Sequence, residues 1–331
     1  MLCRQTRFDD RYVRVGGAGP NGTGPPRTPI PGAGILANLR RVGHLWDFVA
    51  TWTFDPFVLL VLFAVTTAYL VGARTVSRNH PAKPWPMRYS VSFLGGVAVI
   101  VLVTVGPVGS YDDTFFWAHM TQHILLMMLA APLLLLGEPV LLVLRTSTPA
   151  FRRRRLVPVL RSRAVGILTN PVLTWFVFAG VLISTHVTGF FEYALEHDAV
   201  HNYVEHPLYL GVGLLYFYPL LGVGPGSTAV QPFAKVVSLF LMMIPEVALG
   251  FGIYTAGSVL YPYYLTFTDR PWGPSTALLD QRLGGAFMWS AGMLFHTLWI
   301  SVAAWEWIKS EERKGRRIDA QIAAEVLAEG T

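Results

Sequence analysis

Seven stretches of this chain are apolar over a length that can cross a bilayer, for which about 20 residues are needed. They run approximately over Phe54–Val76, Tyr89–Val108, Phe115–Leu136, Val172–Gly189, Pro207–Val223, Phe233–Thr255 and Leu283–Trp305. Connections from 6 residues (109–114) to 35 residues (137–171) separate them. In lipid every backbone polar group must be satisfied within its own segment or a closed barrel, and runs this long and continuous suit helices. The pattern predicts an all-α fold, a polytopic membrane helix bundle with about seven transmembrane helices. No internal repeat is visible.

The bundle occupies residues 54–307 and carries a tail at each end. Residues 1–34 include GGAGPNGTGPPRTPIPGAG, a composition with little to bury and expected to be disordered. They show no apolar core of a cleavable signal peptide. The segment 44–53, HLWDFVATWT, reads as an interfacial approach with tryptophans at the lipid surface, so 1–53 forms one flexible and interfacial unit. In the basic tail 308–331, Ile318, Ile322 and Val326 recur every four residues and suggest a short surface helix.

Composition agrees: 53% of residues are hydrophobic and 14% charged, against about 25% charged in soluble domains. The net charge of +6 does not point to nucleic acid, because the cations sit in loops beside apolar spans. Arg74, Arg78, Lys83 and Arg88 fill the first connection. Arg145, Arg152–Arg155, Arg161 and Arg163 fill the third, and Lys309, Arg313, Lys314, Arg316 and Arg317 the C-terminal tail. The excess of cations on the cytoplasmic side places these three inside and the N-terminus outside. The alternate connections carry Asp112 and Asp113, or Glu192, Glu196, Asp198 and Glu205. Cys3 is the one cysteine, so neither an intrachain disulfide nor a thiolate pair for metal is available.

The chemistry gathers at the external side. His119 and His123 sit in the third span at i and i+4, on one helix face, about 6 and 12 Å below its outer end. Ionisable residues in a span are costly and face a partner or a wet cavity. His186 lies near the end of the fourth span. The fourth connection carries His197, His201 and Glu205 at four-residue spacing, then His206. Asp280 and Gln281 lead into the seventh, with Met288, Trp289 and the deeper His296. Plainer readings exist. His186 and His296 could bridge helices by hydrogen bonds, His197 could be an exposed loop residue, and Met127, Met128, Met242 and Met243 could be adaptable packing. Imidazoles with thioethers and a carboxylate suit copper; zinc accepts the same imidazoles, and haem uses imidazole axial ligands. No HExxH pattern is present.

Five ordered pieces carry a family resemblance. They are HMTQHILLMMLAAPLLLLGEP at 119–139, His201 to Glu205-His206-Pro207 running into YLGVGLLYFYPLLG, LFLMMIPEVALGFGIY, YPYY at 261–264 and DQRLGGAFMW at 280–289. Over roughly Asp55 to Trp307 the chain resembles the seven-span CtaG-type cytochrome c oxidase assembly proteins, which differ from the soluble-domain copper chaperones of the same name. The resemblance implies an assembly factor rather than an enzyme, in a prokaryotic plasma membrane, delivering copper to a haem-copper oxidase subunit. It carries ligand or proton-handling roles onto His119, His123, His201, Glu205 and His206. The expected metal set adds His186 and Met288, while Asp280, Gln281, Trp289 and His296 are expected to line the site. A haem- or quinone-linked redox protein and a copper permease are the alternative readings.

Overall fold

In the computed structural model, the described residues are Trp46, 48–224, 230–268, Arg270 and 272–329. The chain divides into Met1–Gly43 and His44–Thr331; the Gly/Pro-rich tail lies outside the described residues. Trp46 and Trp52 of the interfacial segment are exposed.

All described elements are helical. Helix α1 spans Pro56–Asn79, capped by Asp55, whose carboxylate accepts from the amides of Phe57 (2.9 Å) and Val58 (3.0 Å). Proline in the first turn and an aspartate before it are ordinary helix starts. Helix α2 covers Met87–Thr104. It stops four residues short of the expected Val108, because Pro107 cannot extend it and disfavours the helical conformation at Gly106.

Helix α3 comprises Phe116–Leu125, a π turn Leu126–Ala130 and Ala131–Leu136; α4 follows as Pro139–Thr146. Between them Glu138 takes φ 52°, the one non-glycine residue with positive φ among the described residues. Helix α5 is Pro171–Val187, capped by Asn170, and α6 is Phe190–Glu196. Helix α7, His206–Leu221, is led by a π turn His201–Glu205. Helix α8 is Pro232–Thr255 and α9 is Ala277–Glu329.

The π turns share a cause. Those at Leu126–Ala130, Arg152–Leu156 and His201–Glu205 end two residues before Pro132, Pro158 and Pro207. Proline has no amide hydrogen, and its ring clashes with the carbonyl four residues back. One wider turn relieves the clash and frees a carbonyl. In α3 the freed carbonyl is that of Met128, which accepts from the Trp299 indole at 3.0 Å.

Among the described residues, five helices are long and apolar enough to cross a membrane, and a sixth if α5 and α6, bent by 67°, are one broken span. The protein is a multi-pass membrane protein. Helix α5 has 17 residues and α7 has 16, the latter led directly by the π turn His201–Glu205, so both lie at the short end of the range for a bilayer span, about 17–25 residues. The expected seventh span is part of a 53-residue helix. The tail is therefore not a separate surface helix, because residues 308–323 lack proline and carry pairs that favour continuation, such as Lys309–Glu312 at 3.1 Å and Lys314–Glu311 at 2.8 Å. Ile318 and Ile322 are exposed; the Val326 side chain lies outside the described residues.

Large apolar side chains face outward from most spans, including Phe57, Phe63, Phe176, Phe240, Phe251 and Leu294, as lipid contact requires. The principal core lies among α3, α5, α7, α8 and α9, around Met120, Met128, Phe178, Tyr209, Tyr216 and Met242. Helix α7 approaches α3 so closely that a Cβ at Gly213 would stand 2.8 Å from the Met127 carbonyl oxygen.

Candidate metal centre

The start of α3 is pinned before any chemistry is possible. Asp280, in the first turn of α9, accepts from the amides of Phe116 (2.9 Å) and Trp117 (3.2 Å), and Arg270 Nη1 donates to it at 2.6 Å. Gln281 accepts from the Leu260 amide at 2.6 Å and donates to the carbonyls of Ser258 and Ile253. Both are expected to line the site; their polar atoms cap α3 and fasten the α8–α9 connection.

One turn into α3, His119 and His123 meet edge to face, with ring centroids 4.3 Å apart and planes at 80°. The π turn ahead of α7 brings Glu205 between them, with Oε1 at 3.6 Å from the Nε2 of each imidazole. That separation is too long for a hydrogen bond. Both nitrogens of both rings, and Glu205 Oε1, are buried without any hydrogen-bond partner. Tyr209 stacks on His123 at 3.8 Å, and Phe191 packs against His119 at 4.7 Å, so neither ring can turn away.

A second set adjoins the first. His201 Nδ1 pairs with Glu205 Oε2 at 2.8 Å, and its Nε2 lies 3.2 Å from Asp112 Oδ2. With carboxylates on both nitrogens, the ring has the surroundings of an imidazolium. Gln122 Nε2 donates to Asp112 Oδ2 at 2.7 Å and to the Val103 carbonyl at 2.6 Å. The Gln122 carbonyl oxygen pairs with His206 Nε2 at 2.9 Å. Burial opposes ionisation of Asp112, yet the hydrogen bond and charge of His201 prevail and hold its carboxyl below the usual range. Asp113, in the same connection, is pushed up by burial and by Asp112.

Among the described residues, two groups of three could thus each hold an ion: His119, His123 and Glu205, and Asp112, His201 and His206, with ligand atoms in each within 4.8 Å of one another. Two ligands about 2.1 Å from one tetrahedral ion lie about 3.4 Å apart, close to the 3.6 Å between Glu205 and each imidazole. The first group fits a metal: its donors are bare, converging and held in place. The second group is already hydrogen-bonded, and through His201 it orients Glu205.

The remaining expected residues lie elsewhere. His186 Nδ1 pairs with the Leu182 carbonyl at 2.8 Å, and its ring stands 6.1 Å from that of His123. It lines a separate cavity with Met288. Trp289 packs against Gly250 of α8, whose Cβ would stand 2.8 Å from the Trp289 amide nitrogen. His296 lies against Glu246, 3.1 Å away. His197 is exposed and pairs with the Tyr193 carbonyl, in keeping with its plainer reading.

Sequence reasoning passed over Asp112, Gln122 and Glu246. Asp112 was read as a topology marker of an acidic loop. Gln122 and Glu246 did leave a signal: a polar side chain inside an apolar helix needs a partner.

A cleft of about 630 Å³ opens beside the second group, lined by Asp112, Asp113 and His206 and by Val58, Leu62 and Leu210 of α1 and α7. His119, His123 and Glu205 do not line it; Asp112 and His206 of the second group do.

The chain is 26% identical over 287 residues to an uncharacterised protein of Mycobacterium leprae, covering 85% of this chain and 43% of the relative. It is 25% identical over 277 residues to uncharacterised proteins of Mycobacterium bovis and Mycobacterium tuberculosis, covering 82% of this chain and 41% of each. It therefore spans under half the length of these curated relatives. No solved structure matches it. The sequence profile of the cytochrome c oxidase caa3 assembly factor family (Caa3_CtaG) matches residues 67–310, and the chain belongs to that family.

Proposed function

We propose that this protein is an integral membrane assembly factor that binds copper in a His-rich chamber and delivers it to a haem-copper oxidase subunit. One observation carries the reading: His119 Nε2, His123 Nε2 and Glu205 Oε1 are three converging, unpartnered polar atoms buried inside a membrane domain. Buried polar groups without partners are costly, and an ion would repay that cost in this chamber. The role is transfer, not turnover.

Delivery needs an exit, and the second group supplies one. Asp112, His201 and His206 lie between the first group and the cleft. His201 can ligate only after losing the proton shared with its carboxylates, because a metal ligand must be deprotonated. The second group then holds the ion more weakly than the first, as a point of passage. A packed set of imidazole rings 4.3 to 4.9 Å apart leaves no slot for a macrocycle, so the haem reading gains no support.

The proposed topology has seven crossings, by α1, α2, α3, α5, α7, α8 and α9, in a prokaryotic plasma membrane. Arg145 Nη2 donates to the Lys83 carbonyl at 2.7 Å, so the first and third basic connections share one end of the bundle. The chamber lies toward the other end. Cytoplasmic placement of the basic end puts the chamber, the N-terminus and the cleft on the external side.

The test is copper content in purified protein. Wild type holds copper, and His119→Ala with His123→Ala loses it while retaining the melting transition. Unchanged copper in a folded double variant would overturn the site.

A further inference from the structure

Beneath His123 the structure holds a second chamber that the proposed copper centre does not use. It is a cavity of about 10 Å³, lined by Met120, Met127, Met128 and Met288 together with His186 and Glu246. That volume is about the size of one water, and so also the size of one bare ion. All four methionines are buried.

Packing alone would account for the thioethers; it does not account for the two polar groups among them. His186 is buried, and with Nδ1 committed to the Leu182 carbonyl at 2.8 Å its Nε2 has no partner. Glu246 is a buried carboxylate in the middle of an apolar helix. Its neighbour His296 directs Nδ1 to the Gly292 carbonyl at 3.0 Å. Glu246 Oε2, 3.1 Å from that nitrogen, is left without a hydrogen bond. Gly292 makes room for this carboxylate, because a Cβ there would collide with Glu246 Oε1.

We infer that this cavity is a second metal station, selective for monovalent copper. Thioether sulfur selects Cu(I) over divalent ions, while the chamber above offers imidazole and carboxylate, which suit divalent ions as well. One Cu(I) beside one ionised Glu246 is neutral, which removes the cost of an unpaired charge at this depth. The imidazole of His123 faces both chambers, so an ion can pass between them without a change of oxidation state. The inference rests on the proposed copper function, but its ligand set is distinct from that of the chamber above.

Two probes separate the chambers in full-length protein reconstituted in lipid nanodiscs. Ag(I) is a redox-inert substitute for Cu(I) and reports on thioether sites. Co(II) binds imidazole and carboxylate and ignores thioethers. Wild type is expected to bind Ag(I) with sulfur in its first shell by X-ray absorption. Met288→Leu, which conserves volume, combined with Glu246→Gln is expected to weaken Ag(I) binding by at least about tenfold and leave Co(II) binding unchanged. Glu205→Gln is expected to do the reverse. Met288→Leu alone, with its melting transition intact, is expected to reduce the sulfur signal. Ag(I) bound through nitrogen and oxygen alone, no Ag(I) binding, or wild-type affinity in the double variant would each overturn the station. Loss of Co(II) binding in wild type, with Ag(I) still held by sulfur, would remove the upper centre and leave this station standing.

Discussion

His201 holds Glu205 by one oxygen, pairing with Oε2 at 2.8 Å, and so leaves Oε1 bare between His119 and His123. One carboxylate thereby belongs to two groups at once. Its outer oxygen completes a chain from Asp112, and its inner oxygen completes a ligand set. Replacing Glu205 with glutamine keeps the shape, removes the negative charge and turns one oxygen into a donor. Copper affinity should fall by at least about tenfold, read by competition with a chelator of known affinity, with little change in melting temperature. Wild-type affinity in that variant would place the ion elsewhere.

Asp112 acts on the centre through His201 and should behave as a positioning residue. The variant Asp112→Asn should weaken copper binding by about 10- to 100-fold without removing a ligand of the first group. Because the native carboxyl is held below the usual aspartate range, its stabilising contribution is present above about pH 4 and is lost as pH falls through the lowered value. Acid unfolding of wild type should therefore have a component that the asparagine variant lacks. Identical acid transitions in the two proteins would refute the proposed pairing with His201.

The sequence made the membrane architecture legible because apolar runs of bilayer length have few other uses. It also made His119 and His123 legible, since their four-residue spacing gives one face whatever surrounds them. The rest depended on information that a linear pattern lacks. Asp112 and His201 are 89 residues apart, and no local rule joins an acidic loop to the approach of a later helix. Asp280 and Gln281 are expected at the site because the family resemblance places them in the piece DQRLGGAFMW. Which backbone groups they would satisfy, the exposed amides of α3 and the carbonyls after α8, became visible only with the helices in place. Glu246 stood in a recognised motif, yet its neighbours on α9 determine what it can do.

Trp299 gives a prediction free of metal chemistry. Its indole satisfies the Met128 carbonyl at 3.0 Å, four residues before Pro132. Trp299→Phe keeps most of the apolar contact and leaves that carbonyl unpaired in a dry core. The expected loss is about 1–3 kcal/mol, seen as a lower melting temperature in detergent, with copper stoichiometry retained. An unchanged melting temperature would mean that another group or a water serves the carbonyl.

Gly292 tests the lower chamber by sterics. The variant Gly292→Ala must displace either α9 or the Glu246 carboxylate. Overpacking of this kind costs about 1–3 kcal/mol. Pairing it with Glu246→Ala, which removes the obstruction, should restore much of the melting temperature lost in Gly292→Ala alone. Additive losses in the two variants would show that the methyl meets a different obstacle.

The cleft separates binding from delivery. Its walls include Leu62 on α1 and Leu210 on α7, and its inner end is formed by Asp112 and His206, so a bulky side chain at Leu62 would obstruct the route without touching any donor atom. Leu62→Trp should therefore bind copper with wild-type stoichiometry and affinity. Release to a competing acceptor should slow, and oxidase activity in cells carrying the variant should fall although the protein is present and loaded. The converse variant, Leu62→Ala, widens the same passage and should speed release. If both variants deliver copper at the wild-type rate, the ion leaves by another path, and the cleft serves only to hold lipid against α1 and α7.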